Sequence, residues 1–220
     1  SMELLDDIMV EYTPYESEVI YSGQYPDMIE FTNLCETSIQ VEQGQGKISK
    51  YGEPLQSRGF SKCFGLIIRN QLNLESALFH VDDIDLTHTH TPVVGELLRK
   101  YVDSLNIDSF ERKSLFDAMD EIIHYGLPEF DGGMKRKEFQ SRMEELNENG
   151  IIQARIIRGD NSHDVKNRIV GSLLGYLGIP VVEDLIVNTG RKHWAVVYKP
   201  NESKIYIDVR DQKKLLKFNF

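Results

Sequence analysis

The feature that most constrains the fold is a helical block, residues 92–149, that lies between two groups of strand-like segments. Its apolar residues recur at helical spacing, for example Val94, Leu97, Leu98, Tyr101 and Val102. On either side, the apolar residues form short runs bounded by glycine, proline or polar turns, a pattern typical of buried strands. This order predicts an α+β protein, a single domain over residues 1–220 with a helical insertion at about 92–149.

Composition excludes several classes of protein. The 220 residues are 40% hydrophobic and 27% charged, which is ordinary for a globular chain and excludes a wholly disordered one. Lys and Arg number 25 against 35 Asp and Glu, giving a formal net charge of −10. Because such a surface repels phosphate backbones, we expect no nucleic-acid partner. No apolar run approaches the roughly 20 residues needed to cross a bilayer, so we expect no membrane partner.

The chain holds two cysteines, Cys35 and Cys63. Two are too few for a disulfide framework or an all-cysteine zinc site. The acidic N-terminal sequence does not resemble a signal peptide. These features predict a reducing, cytoplasmic setting, either in the protein's own cell or in a host cytosol if the chain is a secreted bacterial effector. Cys35 has no histidine within a local motif and is predicted to be structural.

Cys63 is the first candidate for a chemically active residue. It lies where the polar residues 57–59 give way to an apolar strand that begins at Phe64, so we expect its sulfur at the end of a sheet. His80 follows on the predicted returning strand, a separation that a hairpin brings together. An imidazole beside a thiol favours the reactive thiolate. The hydroxyl of Ser57 is predicted to orient the other nitrogen of that imidazole.

The alternative is a structural role for Cys63. A free cysteine is among the most often buried residues and acts as a small hydrophobe. In that case the protein would be a non-enzymatic protein-binding module, with the helices of residues 92–149 as its recognition surface.

Short motifs in two parts of the chain resemble those of the CheD-like cysteine deamidases. The first part contains Ser57-Arg58-Gly59-Phe60-Ser61-Lys62-Cys63, an apolar strand and then Ala77-Leu78-Phe79-His80. The second contains Arg158-Gly159-Asp160-Asn161, Gly178-Ile179-Pro180 and Gly190-Arg191-Lys192. The first part is also similar to the protein N-terminal asparagine amidohydrolase. The chain departs from the CheD family at Ser57, where the family has Thr, and in the insertion, which has no recognisable counterpart.

This resemblance implies a layered α/β sandwich of the CheD-like cysteine hydrolase type. It also implies a role for three residues: Cys63 as the nucleophile, His80 as the base and Ser57 as the orienting group. The implied reaction is hydrolysis of a Gln or Asn side-chain amide through a thioester. The implied partner is a protein substrate that bears this residue, and neither a metal nor an organic cofactor is implied.

A second use of the same thiol stays open. His193-Trp194, an apolar strand and Asp208 resemble the His-Trp pair and downstream acid of papain-like proteases and of some deamidating bacterial effectors. Cys63, His193 and Asp208 would then form a triad in the chain order Cys, His, Asp. However, papain-like nucleophiles begin a helix, whereas Phe64 begins an apolar run that predicts a strand.

His88 and His90 would face the same way on a strand, as two ligands of a metal site would. Zinc needs three or four ligands, and the spacing specifies no third. The sequence therefore predicts a polar surface loop here and no metal.

Overall fold

The computed structural model describes residues 14–16, 25–82, 91–125, 134–160, 170–171, 173–190, 192–209 and 214–220. The helices are α1 (Tyr25–Glu36), α2 (Thr91–Asp103), α3 (Ser109–Tyr125) and α4 (Met134–Leu146), and residues 173–176 are also helical. The strands are β1 (Pro14–Glu16), β2 (Ile39–Val41), β3 (Gly46–Ser49), β4 (Leu55–Phe60), β5 (Phe64–Asn70), β6 (Ser76–Val81), β7 (Ile152–Gly159), β8 (Val181–Val187), β9 (Trp194–Lys199), β10 (Lys204–Val209) and β11 (Lys214–Asn219).

The strands form two mixed sheets. One has six strands in the order β1-β8-β7-β5-β6-β3, in which β8 runs parallel to both β1 and β7 and the other pairs are antiparallel. The other has five strands in the order β11-β10-β9-β4-β2, in which only the β2–β4 pair is parallel. The protein is therefore a mixed α+β structure with two mixed sheets and a few helices, as the order of sequence segments predicts.

The two sheets face each other across an apolar core. Successive residues of a strand point to opposite faces. In β5, Phe64, Leu66 and Ile68 therefore pack toward the helices, whereas Ile67 packs toward the five-stranded sheet. The core between the sheets includes Leu55, Phe60, Ile157, Leu185, Trp194, Val196, Ile205 and Ile207. Burying each large apolar side chain of this kind contributes about 1.5–3 kcal/mol.

The helices α2, α3 and α4 connect β6 to β7 and cover the other face of the six-stranded sheet. In sequence, these three helices fall between residues 91 and 146, close to the helical insertion predicted at about 92–149. The apolar residues that repeat along α2 are buried in this layer, and Tyr101 Oη donates a hydrogen bond of 2.7 Å to the carbonyl of Leu146 at the end of α4. Among the described residues, no helix combines the length and apolar character needed to cross a membrane.

A fourth layer is formed by α1, which covers the outer face of the five-stranded sheet. Phe31 and Cys35 of this helix pack against Val197, Tyr206 and Leu215. The layers thus follow the order helices, six-stranded sheet, five-stranded sheet, helix. The five-stranded sheet therefore has an inner face toward the other sheet and an outer face toward α1.

Candidate active site

The segment that connects the two sheets carries Cys63. Strand β4 ends at Phe60 in the five-stranded sheet, and β5 begins at Phe64 in the six-stranded sheet. Cys63 is the last residue of the crossing. It is half-buried and packs against the core between the sheets. The residue is therefore anchored on one side and only partly buried, which suits a reactive thiol.

The pairing of β5 with β6 brings His80 near Cys63. Gly65 is paired with His80 across the two strands. Phe64 packs toward the helices, so Gly65 and Cys63, on either side of it, face the five-stranded sheet. Cys63 immediately precedes the paired residues, and continuing the alternation of β5 would make it a diagonal neighbour of His80 on the same face. Such neighbours lie about 7–8 Å apart or less, a separation that larger side chains span.

Ser57 determines which nitrogen of His80 carries the proton. Both residues are 0% exposed. Ser57 Oγ lies 2.8 Å from His80 Nδ1 and 2.7 Å from the carbonyl oxygen of Val41. The single hydroxyl proton goes to Val41, since a carbonyl oxygen can only accept. Ser57 Oγ must then accept from Nδ1–H, which leaves the lone pair of the neutral imidazole on Nε2.

A β-bulge at Gly59 brings Ser57 and Phe60 to the same face of β4. Ser57 is paired with Val196 and Phe60 with Trp194, so three steps along β4 match two steps along β9. Gly59 has a φ of +76°, a backbone conformation that favours glycine. Without the extra residue, Phe60 would point to the outer face, because side chains alternate along a strand.

Aromatic stacking and main-chain hydrogen bonds hold the imidazole in place. The Phe60 ring lies 3.8 Å from the His80 ring at an angle of 6°, and 4.4 Å from the Trp194 ring at 18°. Because both rings are nearly parallel to Phe60, they occupy its opposite faces. The N–H of His80 donates to the carbonyl of Gln45, and the N–H of Gly44 donates to the carbonyl of His80, both at 2.9 Å. The imidazole is therefore fixed before any substrate binds.

The outer face of the same sheet holds a different set of polar groups. Arg58 Nε donates to Gln56 Oε1 at 3.0 Å, and Gln56 Nε2 donates to the carbonyl of Cys35 at 2.6 Å. Burial raises the pKa of the Cys35 thiol above its ordinary value, and the hydrogen bond and charge of Arg58 oppose only part of this rise. Cys35 is therefore held as a neutral thiol, in line with a structural role.

A cleft of about 360 Å³ opens at this face, lined by Arg58, Gly59, His193, Trp194, Ala195 and Asp208. His193 is exposed, and Asp208 is half-buried. Burial raises the pKa of the Asp208 carboxyl, partly opposed by the charge of Arg58. Asp208 is paired with Ala195, which packs toward α1, so its side chain points away from the core that Cys63 contacts. Two members of the alternative triad, Cys63 and Asp208, therefore lie toward opposite faces of the five-stranded sheet.

Two parts of the site had no assigned role at the sequence level. Val41 accepts the Ser57 proton because β2 runs parallel to β4, a pairing that places Val41 beside Ser57. Phe60 contacts His80 because of the bulge, and the signal available for it was a glycine inside a strand-like segment.

Several sequence-level candidates lie outside the described residues: His88, His90, Asn161 and Arg191. Within the part of the chain that the structure describes, no group of three or more His, Cys, Asp or Glu side chains could hold a metal ion. No protein-family model matches the chain, and a search of curated proteins finds no match either.

Proposed function

We propose that this protein is a cysteine-dependent protein amidohydrolase that deamidates a Gln or Asn side chain through a thioester. The observation that carries the proposal is the 2.8 Å hydrogen bond between Ser57 Oγ and His80 Nδ1, on the face of the ladder that Cys63 shares. It leaves Nε2 able to take a proton, which is what a thiol nucleophile needs from its base. Two facing sheets between helical layers are compatible with the sandwich of CheD-like cysteine hydrolases.

In the first half of the reaction, His80 Nε2 takes the proton of the Cys63 thiol. The thiolate attacks the carboxamide carbon, and main-chain N–H groups near Cys63 hold the resulting oxyanion. The imidazolium is stabilised by the chain from Nδ1–H to Ser57 Oγ and on to the carbonyl of Val41. It then gives its proton to the departing ammonia, the C–N bond breaks, and an acyl thioester forms on Cys63.

In the second half, water replaces ammonia. His80 Nε2 takes a proton from the water as it attacks the thioester carbon, and the C–S bond breaks. The thiolate recovers its proton, and the product is a Glu or Asp side chain. Thiol, imidazole and water supply every group in this sequence, so the chemistry requires neither a metal nor an organic cofactor.

The test compares His80→Ala with His193→Ala in the full chain. Alkylation of Cys63 by iodoacetamide near neutral pH is followed by mass spectrometry of the Cys63 peptide. We expect His80→Ala to slow it by about 10–100-fold, because the thiol loses its base. His193→Ala should leave the rate unchanged, since that side chain is exposed at the cleft on the other face. Equal rates in both variants would contradict the assignment of His80.

Activity itself is measured as ammonia release from candidate proteins, with the acidic product located by peptide mass spectrometry. Cys63→Ala is the negative control and must abolish release. If an unsubstituted chain with a reactive Cys63 releases no ammonia from any Gln- or Asn-bearing protein tested, the thiol serves another reaction and the deamidase proposal fails.

A further inference from the structure

The cleft on the outer face of the five-stranded sheet adjoins the proposed active site. Trp194 forms part of its wall and also stacks on Phe60, whose opposite face stacks on His80. One phenyl ring therefore separates a wall residue of the cleft from the imidazole. Gly59, also in the wall, lies just before the segment that leads to Cys63. A polypeptide that presents an amide to Cys63 would have its flanking residues close to this cleft.

One polar group of the cleft wall, the Asp208 carboxylate, has no partner among the described residues. No hydrogen-bond donor or ion-pairing cation contacts the half-buried carboxylate of Asp208 in the described part of the chain, and burial raises its pKa. Buried polar groups are normally hydrogen-bonded, so an acceptor of this kind is suited to a ligand.

Arg58 is another charged group of the cleft wall. Its Nε donates a hydrogen bond of 3.0 Å to Gln56 Oε1. Its charge acts on Asp208 without forming an ion pair with it. Gln56 is neutral, so Arg58 keeps its positive charge. In the described part of the chain, however, the Asp208 carboxylate has no partner of its own, and its complement is a cation. The formal net charge of −10 also attracts basic polypeptides over longer distances.

We propose that this cleft binds a Lys or Arg side chain of the polypeptide substrate, with Asp208 as counter-ion. The inference rests on the proposed function for its link to Cys63, but binding is measurable without turnover. The substrate class it defines is a polypeptide with a basic residue next to the target amide.

Trp194 provides the signal for the test, because the chain contains one tryptophan. The full chain carrying Cys63→Ala is titrated with two capped peptides of equal length, one with Gln flanked by Lys and the other with Gln flanked by Glu. We expect a saturable change in Trp194 fluorescence with the Lys peptide alone. Adding Asp208→Asn should weaken this binding about tenfold, since the isosteric amide loses the charge.

Glu202→Gln is the matched control. Glu202 is an exposed carboxylate just before β10, bound to Lys199, and its neutralisation should leave the affinity unchanged. Equal affinities for the two peptides, or Lys-peptide binding that survives Asp208→Asn, would overturn the proposal. Ammonia release by the unsubstituted chain is measured separately. Lys-selective binding without ammonia release would support the proposed role of the cleft and contradict the proposed amidohydrolase activity. Ammonia release without Lys-selective binding would contradict the role of the cleft alone.

Discussion

A cysteine packs toward each face of the five-stranded sheet, and the two thiols have opposite surroundings. On the inner face, Cys63 is half-buried and shares its side of the ladder with a histidine. On the outer face, Cys35 is 4% exposed, and burial raises the pKa of its thiol. A reactive thiol needs both access and a way to lose its proton. The two cysteines therefore differ because each face of the sheet places different residues around the thiol. Only on the inner face is a half-buried cysteine found on the same side as a histidine.

One irregularity in β4 determines which residues belong to each face. Because of the bulge at Gly59, the side chains of Ser57 and Phe60 both lie on the inner face. There Ser57 hydrogen-bonds the imidazole nitrogen of His80, and Phe60 stacks on the imidazole ring. Arg58 lines the cleft of the outer face. A regular strand would point Phe60 outward and leave the imidazole without its stacking partner. Four consecutive residues, 57–60, thus contact the imidazole of His80 on one face and line the cleft on the other.

The largest expected effect is a difference in reactivity between the two thiols. In the native protein, iodoacetamide should modify Cys63 roughly a thousandfold faster than Cys35, because Cys35 must wait for local opening of the structure. Peptide mass spectrometry after timed quenching measures both rates in one sample. The control is the same chain in concentrated denaturant, where the two rates should converge. Similar native rates would remove the distinction between the two faces.

Phe60→Ala tests whether the inner face depends on the aromatic stack. Removing a fully buried phenyl ring should lower the free energy of unfolding by about 3–5 kcal/mol. Urea denaturation followed by far-UV circular dichroism measures this change. Phe110→Ala is the control, because Phe110 is 81% exposed and its loss should change stability by less than about 0.5 kcal/mol. Equal effects of the two substitutions would mean that Phe60 is not packed between His80 and Trp194.

The sequence predicts those parts of the structure that depend on local patterns. The spacing of apolar residues along α2 is a local property, and so is the hairpin of β5 and β6 that carries His80 next to the crossing segment. The contact of Ser57 with Val41 depends on a parallel pairing of β2 with β4, which no short pattern specifies. The cleft depends on the same kind of information, since its lining comes from β4, β9 and β10.

Register also bears on the alternative triad of Cys63, His193 and Asp208. The spacing of His193 and Asp208 suits two neighbouring strands, and β9 and β10 are indeed paired. However, Val209 lies opposite Trp194 on the inner face, so Asp208 lies opposite Ala195 on the outer face. A shift of one residue in the pairing would have placed Asp208 on the inner face. The spacing of two residues in the sequence does not determine which face of the sheet each side chain occupies.

Ser57→Ala separates orientation of the base from simple packing. The substitution leaves the carbonyl of Val41 and His80 Nδ1 without their partner in a buried site, which should cost about 1–3 kcal/mol of stability. It should also slow alkylation of Cys63 by about tenfold, because the tautomer of His80 is no longer fixed. Ser57→Thr keeps the hydroxyl and should restore the alkylation rate. A stability loss with an unchanged alkylation rate and pH profile would make Ser57 a purely structural residue.

The smallest expected effect concerns the carboxylate of the outer face. Because burial raises the pKa of Asp208 in the folded protein, the protonated carboxyl is favoured by folding. This contribution is fully present below the ordinary value of 3.8 and is lost as the pH rises through the folded pKa. Asn does not titrate. The free energy of unfolding of Asp208→Asn, relative to that of the unsubstituted chain, should therefore be higher at about pH 7 than at about pH 3. Urea denaturation at both pH values measures this difference.

Glu202→Gln should show the opposite sign. Lys199 holds the pKa of Glu202 below its ordinary value, so this carboxylate stabilises the fold above that value and loses its contribution as the pH falls. Its substitution should therefore cost stability near pH 7 and little near about pH 3. The two carboxylates lie at opposite ends of β10. Their substitutions would then change stability with pH in opposite directions, because Glu202 has a cation as partner and Asp208 does not. If both substitutions gave the same sign, Asp208 would already be paired within the chain, and the cleft would have no charge left to offer a ligand.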